Sequence, residues 1–414
     1  MFATSLALLA FGVQTALTQV GVDKPLAQDC GPKSGNVVCI DKYASVMPYP
    51  FFRKPSSDGV YQDTFGSTTV PNDTSFAKVA DADFLVFDEK RGLDLLGSNP
   101  SYEYVFNVSM AVHEAPVWVP TQNKLYMSQL APPPGYLPQL VIDLNQSPPS
   151  LSEFLPDPPI YAPNGGTIHN GLVYFGVSGG NKSIGGMESR PGIATFDPAT
   201  NKTKTLLNNY FGYYFNTIDD VAVDSNGIIW FTDPWYSWWN KLVDTPPQIE
   251  TASYRFDPST GAVNVVDDSI IQPNGIAIAP DEKTMYISDT GAVAGLIDPT
   301  IESQGSTFNT TDKRTIYAFD IMDGGRWLGN KRPIYFSQDW VPDGLKVARN
   351  GYVVTGSGNG VDILDNYGTL LARVQTNYTV QNFAWTGPEY KTLWMMGQGG
   401  ISKVEWNLQG QELK

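Results

Sequence analysis

One short pattern recurs along the chain, and it constrains the fold more than any other feature. A polar residue is followed by an alternating apolar stretch, a turn with Asp, Asn or Gly, and a second β-rich stretch. The clear copies are DDVAVDSNGIIWFTD at 219–233, NGIAIAPDEKTMYISD at 274–289 and DGLKVARNGYVVTG at 343–356. Looser copies are EAPVWVPTQNKLYMSQ from Glu114, NGGTIHNGLVYFG from Asn164 and NFAWTGPEYKTLWMMG from Asn382. Six related hairpins in one chain predict a repeat architecture.

Several copies are followed by a second pair of strand-like stretches. These are ASYRFDPSTGAVNVV at 252–266, TIYAFDIMDGGRWLG at 315–329 and GVDILDNYGTLLARV at 360–374. Four strands per repeat and six repeats predict an all-β, six-bladed β-propeller with an N-terminal extension. A β-sandwich or two stacked barrels would be the alternative, but neither explains the repeated pattern. The 39 Gly, 31 Pro and 12% aromatic residues agree with many short strands and tight turns.

The remaining segments are assigned around this ring. DADFLVFDEKRG at 81–92 is expected to close the propeller by adding a strand to the last blade. Residues 131–163 are rich in proline, and we expect them, with 291–314, to be loop insertions. The propeller is thus expected to span residues 81–414, after an extension at 19–80 with few strand signals.

The N-terminus has the character of a secretory leader. An apolar run from Phe2 to Val13 precedes small and polar residues, and it is too short to span a bilayer. We therefore expect a signal peptide at 1–18, with a buried N-terminal strand as the alternative. No later segment is long and apolar enough for a membrane span.

Two further features agree with export to the extracellular space. Six Asn-X-Ser/Thr sequons are potential N-glycosylation sites: Asn72, Asn107, Asn181, Asn201, Asn309 and Asn377. The two cysteines, Cys30 and Cys39, are nine residues apart, which suits a local disulfide in an oxidising compartment, although free thiols are an alternative. The sequence therefore predicts a secreted glycoprotein.

Charge excludes some partners. With 27 Lys and Arg against 42 Asp and Glu, the net charge of −15 repels phosphate backbones and anionic membranes. We expect neither a nucleic-acid nor a membrane partner, and a small molecule as the substrate.

The first residue of each repeat points to a cation site. All six residues carry a side-chain oxygen: Glu114, Asn164, Asp219, Asn274, Asp343 and Asn382. Equivalent positions in successive blades converge on the axis of a propeller. Carboxylate and amide oxygens suit a hard cation such as Ca²⁺ or Mg²⁺, and with only two histidines a zinc site of three histidines is excluded. Asn-Gly and Asp-Gly pairs also form turns, which is the alternative explanation.

At these residues the sequence resembles the SMP-30/gluconolactonase family, and within it the secreted fungal lactonohydrolases that open aldonate and pantoyl lactones. The resemblance extends from about residue 84 to the C-terminus. It is carried, in order, by HEAPVW at 113–118, NGGT at 164–167, TLLNNYFG at 205–212, FNTIDDVAV at 215–223, WFTDPWY at 230–236, QPNGIAIAPD at 272–281, ISDTG at 287–291 and VPDGLKV at 341–347.

The resemblance implies a divalent cation, most simply Ca²⁺, with Mg²⁺, Mn²⁺ or Zn²⁺ as alternatives. The implied ligands are Glu114, Asp219, Asn274 and Asp343. Where the family usually has Asn-Asp-Val, this chain has Asp219-Asp220-Val221. Three ionised carboxylates around a divalent cation leave a charge of about −1, which should tighten metal binding and weaken Lewis acidity.

The implied activity is lactone hydrolysis. It needs a polarised carbonyl, a nucleophile and stabilisation of the oxyanion, and a cation with open positions serves the first and third needs. Asp343 or Asp219 is the candidate catalytic residue, as a general base on water or as a direct nucleophile. We favour Asp343 as the base, because its Pro-Asp-Gly context matches the family.

Other residues are candidates for contact with the substrate. Asn164, His169, Trp235 and Tyr236 are expected to bind it, the last two as part of an aromatic lid that includes Trp238 and Trp239. His113 precedes Glu114 on an expected strand, so its side chain should point away from the ligand and pack structurally.

Other functions remain open at this point. The same cation could polarise a phosphoryl oxygen in a phosphotriesterase-like hydrolase. The propeller could also be a non-catalytic binding platform in which Ca²⁺ is structural. A strictosidine-synthase-like propeller is a further alternative, but such proteins lack this set of ligands.

Overall fold

The computed structural model describes residues 24–54, 64–110, 112–130, 138–180, 189–294 and 307–413. The expected signal peptide and the sequon at Asn181 lie outside these ranges.

Short strands make up most of the described chain. Four precede the first hairpin of the repeat: β1 Ala27–Asp29, β2 Val37–Ile40, β3 Phe84–Val86 and β4 Ser101–Asn107. The next twelve are β5 Val117–Val119, β6 Lys124–Met127, β7 Gln139–Asp143, β8 Ser150–Phe154, β9 Pro163–His169, β10 Leu172–Val177, β11 Gly192–Asp197, β12 Lys202–Leu207, β13 Val221–Val223, β14 Ile229–Asp233, β15 Ala252–Asp257 and β16 Ala262–Asp267. The last thirteen are β17 Pro273–Ile278, β18 Thr284–Asp289, β19 Val293–Ala294, β20 Thr307–Phe308, β21 Thr315–Met322, β22 Trp327–Phe336, β23 Pro342–Val347, β24 Val353–Ser357, β25 Gly360–Leu364, β26 Leu370–Gln375, β27 Thr379–Thr386, β28 Thr392–Gln398 and β29 Gly400–Glu405.

Helices are short and few in the same ranges. The α-helices are α1 Lys78–Asp81, α2 Glu89–Leu96 and α3 Tyr236–Trp239. Single turns of 3-10 helix cover Lys33–Gly35, Asp41–Ala44, Phe65–Ser67 and Thr74–Ala77. None of the helices in the described ranges is long and apolar enough to cross a membrane.

The strands form the blades of a β-propeller. Five antiparallel sheets have four strands each, in the orders β5–β6–β7–β8, β9–β10–β11–β12, β13–β14–β15–β16, β17–β18–β21–β22 and β27–β28–β29–β4. The innermost strands β5, β9, β13, β17, β23 and β27 contact one another around a closed circle. The all-β propeller expected from the repeat is therefore confirmed.

The expected number of blades needs correction. Five blades with four strands are present in the described chain, rather than six. The strands of the remaining repeat, β23 to β26, belong instead to a seven-stranded sheet that continues through β3 and β2 to β1. β3 covers the edge of β26, and the N-terminal extension adds β2 and β1 beside β3, which would otherwise expose unpaired backbone groups.

The segment that closes the ring was also assigned wrongly. β3, within residues 81–92, pairs with β26, and Leu85 lies opposite Arg373. The last blade is closed by β4, in which Glu103 lies opposite Lys403 of β29. β4 is an outer strand with mostly exposed or half-buried side chains, so it lacks the continuous apolar run of the buried strand β3.

Residues 131–163 are not a simple loop insertion. Their described part contains β7 and β8, the outer strand pair of the first blade. Prolines before and after the two strands hide these short stretches in the sequence. The segment 291–314 contains β19 and β20, a separate two-stranded sheet.

Glycine allows the innermost strands to pack closely around the axis. A Cβ atom at Gly165 would overlap the backbone carbonyl of Asp219, and one at Gly275 would overlap that of Asp343. A Cβ at Gly344 would lie 2.5 Å from the side-chain carbon of Asn382. Each of these glycines follows a repeat-start residue and faces the next innermost strand. The Asn-Gly and Asp-Gly pairs are therefore explained by close approach of strands and not by turns.

Two features order the N-terminal extension. The expected disulfide is present within it, between Cys30, directly after β1, and Cys39 in β2. An ion network anchors the extension to the propeller: the buried Asp339 accepts hydrogen bonds from Arg53 at 2.6 Å and from the backbone N–H of Phe65 at 3.0 Å.

Arg373 connects this network to the seven-stranded sheet. Its guanidinium donates to Asp339 at 2.5 Å, to Asp362 at 2.7 Å and to the Ser357 carbonyl at 2.8 Å. All three charged side chains are buried. Removing the arginine would leave two carboxylates in a low-dielectric interior.

We predict that Arg373→Met lowers the free energy of unfolding by about 3–5 kcal/mol, the usual cost of breaking a buried ion pair. Denaturant titration followed by tryptophan fluorescence measures this change. Arg332→Met is the matched control, because its ion pair with Asp320 is largely exposed and should contribute at most about 1 kcal/mol. Equal effects of the two substitutions would contradict a central role for Arg373.

Candidate functional site

The innermost strands all begin at one end of the central channel, and the repeat-start residues meet there, at or near the beginnings of these strands. A cavity of about 600 Å³ opens at this end. Its lining includes five of the six repeat-start residues: Glu114, Asn164, Asp219, Asn274 and Asp343. The sixth, Asn382, donates its amide N–H to Glu114 Oε2 at 2.7 Å. The expected convergence of these side chains is therefore observed.

Glu114 is held by a local departure from strand geometry. Ala115 has a φ of +57°, and β5 begins only at Val117. Ser128, at the end of the hairpin, accepts from the backbone N–H of Glu114 through its Oγ at 3.2 Å. The backbone N–H of Ser128 in turn donates to the Glu114 carbonyl at 2.8 Å. These bonds fix the buried carboxylate at the axis.

Asp343 and Asn274 occupy the adjacent part of the cavity. The Asp343 carboxyl lies beside Glu114 and beside the amide of Asn274. Asn274 also lies beside Tyr236, whose hydroxyl contacts Thr290 Oγ1. An ionised carboxylate only accepts hydrogen bonds, so an Asn274 amide directed at Asp343 would present its N–H and leave its oxygen for another group.

Asp219 and Asn164 form the third part of the site. The Asn164 amide donates to Asp219 Oδ1. Within the described residues, Asp219 Oδ2 and Asn164 Oδ1 are buried and accept no hydrogen bond. Leaving buried polar atoms unpaired is costly, so these two oxygens indicate a missing electropositive partner.

The electrostatics of the carboxyl groups agree with this indication. Burial raises the pKa of Glu114 well above its usual value, and the charges of Asp343 and Asp219 raise it further. The pKa of Asp219 is raised in the same way, first by burial and then by Asp343 and Asp220. Burial also raises the pKa of Asp343. Among the described residues that line the cavity there is no lysine or arginine to balance these charges.

The donor set fits one hard cation. The neighbouring carboxyl groups of Glu114 and Asp343 are buried and half-buried respectively, so a positive charge beside them would favour the ionisation of both. In the described chain no three His, Cys, Asp or Glu side chains form a metal-binding group by themselves. An amide oxygen would therefore have to complete the ligand set, and Asn274 presents one. Carboxylate and amide oxygens are the ligands that Ca²⁺ prefers.

The other expected substrate contacts are only partly located at this cavity. Tyr236 lines it, at the start of α3. Trp235 is absent from the described lining, and its backbone N–H donates to Gln272 Oε1 at 3.0 Å. His169 lies at the other end of β9 from Asn164, roughly 16 Å away at the rise of a strand, beside Tyr174. The position of His169 contradicts the expected contact with the substrate.

His113 was expected to point away from the site, and this expectation is wrong. The side chain is half-buried and lines the cavity together with Glu114. The alternation of strand side chains does not apply here, because residues 113–116 precede β5 and Ala115 has a left-handed backbone.

Sequence reasoning missed a supporting position that the repeat itself encodes. Asp233 ends the hairpin of its repeat, and its Oδ1 accepts the backbone N–H of Thr217, two residues before Asp219, at 2.7 Å. Asp289 accepts the N–H of Gln272, two residues before Asn274, at 3.1 Å. In these two repeats the last residue thus holds the segment that carries the repeat-start residue. The FTD and ISD sequences could have revealed this role.

Several neutral polar residues of the cavity were also missed. They come from loops outside the repeat pattern or from positions next to it: Asn240, Thr290, Asn359, Gln381 and Gln398. Gln381 and Gln398 lie in β27 and β28 beside the last repeat, whereas loops bring the other three to the cavity without a sequence signal.

Comparison with known proteins identifies the family. The model of the SMP-30/Gluconolactonase/LRE-like region matches residues 164–295 and 300–398. The chain belongs to the SMP-30/gluconolactonase family.

Two relatives from Aspergillus oryzae are similar over most of their length. Lactonohydrolase oryL is 46% identical over 376 residues, which cover 90% of this chain and 86% of the relative. Lactonohydrolase oryH is 42% identical, with 94% and 95% of the two chains covered. A gluconolactonase from Zymomonas mobilis is 24% identical over 76% of this chain and 80% of its own.

Solved structures share the fold. A gluconolactonase from Xanthomonas campestris superimposes with a TM-score of 0.61 at 24% identity, covering 78% of this chain and 94% of its own. Regucalcin from Agrobacterium tumefaciens, described as a calcium-binding protein, gives a TM-score of 0.53 at 14% identity, covering 74% and 94%.

Proposed function

We propose that this protein hydrolyses lactones at the axial cavity and that it does so with one bound divalent cation, most simply Ca²⁺. The observation that carries the proposal is the convergence of repeat-start oxygens around buried carboxylates that have no lysine or arginine beside them in the described lining. The lactonohydrolase and gluconolactonase names of the relatives support the reaction class. The acid-rich site supports the cation.

Four residues would hold the cation: Glu114, Asp219, Asn274 and Asp343. When bound, the cation supplies a Lewis acid that polarises the lactone carbonyl and stabilises the oxyanion. The protein keeps these ligands in place through their neighbours. Asn382 holds Glu114, and Asn164 holds Asp219.

Asp343 is the favoured general base. Its side chain is half-buried and faces the cavity, whereas Glu114 and Asp219 are buried. A water in the cavity can therefore reach Asp343 most directly. The neighbouring Asn274 amide orients the Asp343 carboxyl, which can accept a proton from such a water. Asp219, or direct attack by a carboxylate, is the alternative route.

The cavity suits a small, neutral and hydroxyl-bearing lactone of the sugar or pantoyl type. Its described lining provides amides, hydroxyls and phenols, and it has three carboxyl groups but no lysine or arginine, which disfavours an anionic substrate. Asn164, Tyr236 and Asn240 can exchange hydrogen bonds with substrate hydroxyl groups. Trp235 packs edge-on against Trp239 behind Tyr236 and supports the position of α3.

We also propose that the protein is secreted and glycosylated. Asn72, Asn107, Asn201, Asn309 and Asn377 are all exposed. The disulfide between Cys30 and Cys39 is in keeping with an oxidising compartment.

We predict that Asp343→Ala and Asn274→Ala each lower kcat/KM for lactone opening by at least about 100-fold while the protein stays folded. The loss follows from removing the general base or its orienting amide. A pH-stat assay on gluconolactone and pantoyl lactone measures the rate, and circular dichroism checks the fold. Asp281→Ala, in an exposed turn, is the control. Near-normal activity in both site variants would refute the proposed site.

A second prediction concerns Asp219. Asp219→Asn removes one carboxylate, so it should weaken Ca²⁺ binding about tenfold or more and change the hydrolysis rate. In the presence of chelator the same variant should melt at a higher temperature, because it buries one potential charge fewer. Calorimetric titration with Ca²⁺ and thermal melts measure the two effects. Unchanged Ca²⁺ affinity would show that Asp219 is not a ligand.

Cation removal separates the proposed enzyme from other functions. Treatment with EDTA should abolish lactone hydrolysis and lower the melting temperature, and added Ca²⁺ should restore both. The assay panel includes an aryl phosphotriester. Faster turnover of the phosphotriester than of either lactone would favour a phosphotriesterase. A stabilising effect of Ca²⁺ without turnover of any substrate would favour a binding platform.

A further inference from the structure

One of the sequons lies at the cavity that contains the proposed site. Asn377 is in the turn between β26 and β27, and its side chain is exposed. The same residue belongs to the cavity lining, together with its neighbours Tyr378 and Thr379. Its amide therefore stands where solvent meets the cavity.

The turn that carries Asn377 is held firmly. Thr376 Oγ1 donates to the Tyr378 carbonyl at 2.6 Å, and the backbone N–H of Thr376 donates to the Asn359 carbonyl at 3.2 Å. The Tyr378 ring is buried, and its hydroxyl donates to the Met395 carbonyl at 2.9 Å. A sugar attached to Asn377 would thus start from a defined point at the cavity mouth.

Asn201 offers a contrast within the same chain. It lies in the turn between β11 and β12. β9 begins at the cavity with Asn164 and the strands of its blade alternate in direction, so this turn is at the opposite end of the propeller. Asn201 is exposed, and a glycan there would be remote from the substrate.

We propose that Asn377 carries an N-linked glycan and that this glycan limits the size of the lactone that can enter the cavity. The inference rests on the proposed lactone hydrolysis at this site. The carbohydrate donor is a lipid pyrophosphate-linked oligosaccharide. The Asn377 amide nitrogen forms a bond to C1 of the first sugar, the bond from C1 to the pyrophosphate oxygen breaks, and the amide proton is lost to the transferase. The product is a bulky, hydrated group at the mouth of the site.

The first measurement is glycan occupancy. The full-length protein is secreted from a fungal host, and glycopeptides are quantified by mass spectrometry. We expect the peptide containing Asn377 to be glycosylated on most molecules. An unmodified Asn377 would overturn the proposal, whatever the enzymatic activity.

The second measurement is size selectivity. It is the ratio of kcat/KM for a γ-lactone with a long alkyl substituent to kcat/KM for unsubstituted γ-butyrolactone. In the secreted protein, Asn377→Gln should raise this ratio at least fivefold, because the glycan no longer narrows the entrance. Asn201→Gln is the matched control and should leave the ratio within twofold of wild type. An unchanged ratio in Asn377→Gln would overturn the size limit.

A third measurement separates the effect of the glycan on this ratio from the effect of the asparagine side chain. Wild type and Asn377→Gln are both produced in the periplasm of a bacterium without N-glycosylation. Their ratios should agree with each other and with that of secreted Asn377→Gln. A difference between the two periplasmic proteins would assign the effect to the amide side chain and overturn the proposal. Failure of every protein to open these two lactones, gluconolactone or pantoyl lactone would instead refute the proposed function, while the occupancy result would stand.

Discussion

The close approach of neighbouring innermost strands is the constraint on which the rest of the structure depends. At Gly165 and Gly275 no Cβ atom could be accommodated without overlap with the backbone of the next innermost strand. This packing narrows the axis and brings the side chains that precede the glycines within reach of one another. Asn164 contacts Asp219, and Asn274 contacts Asp343, as a direct result. Fold and site thus share one origin.

The same geometry places three carboxyl groups close together in a largely buried region. Glu114 and Asp219 are buried and Asp343 is half-buried beside them, although burial opposes ionisation of each. A propeller without a ligand gains nothing from such an arrangement, because buried carboxyl groups destabilise the folded state. The cost is understandable if a divalent cation offsets the charges and draws part of its affinity from them. Stability at the axis and chemistry at the cavity would then depend on the same ion.

In a second cluster of buried carboxylates, the negative charge is balanced within the chain. Asp339 and Asp362 are as deeply buried as Glu114, but Arg373 lies between them and Arg53 reaches Asp339 from the N-terminal extension. The protein's own arginine side chains supply the positive charge there, so this cluster has a structural role. The contrast marks the axial cavity as the place where a positive charge must come from outside the chain.

Much of this could be predicted from sequence, for a definite reason. The alternating hairpins, their six repeat-start oxygens and the glycines that follow them are local patterns, and a repeat makes local patterns add up at one axis. The prediction failed where pairing is non-local. β3 joins β26 and β4 joins β29 across most of the chain, and neither strand carries a sign of its partner.

The residues of the site also fall into two groups, those that the repeat predicts and those that only the tertiary structure places. The sequence by itself determined which side chains meet at the axis, because their positions follow from the repeat. Only the tertiary structure decided that His113 faces the cavity, that His169 does not, and that Thr290 and Asn240 complete its wall. These positions depend on a left-handed residue at Ala115 and on loops folded over the blade ends. Such features are set by packing between distant segments, which leaves no local pattern to read.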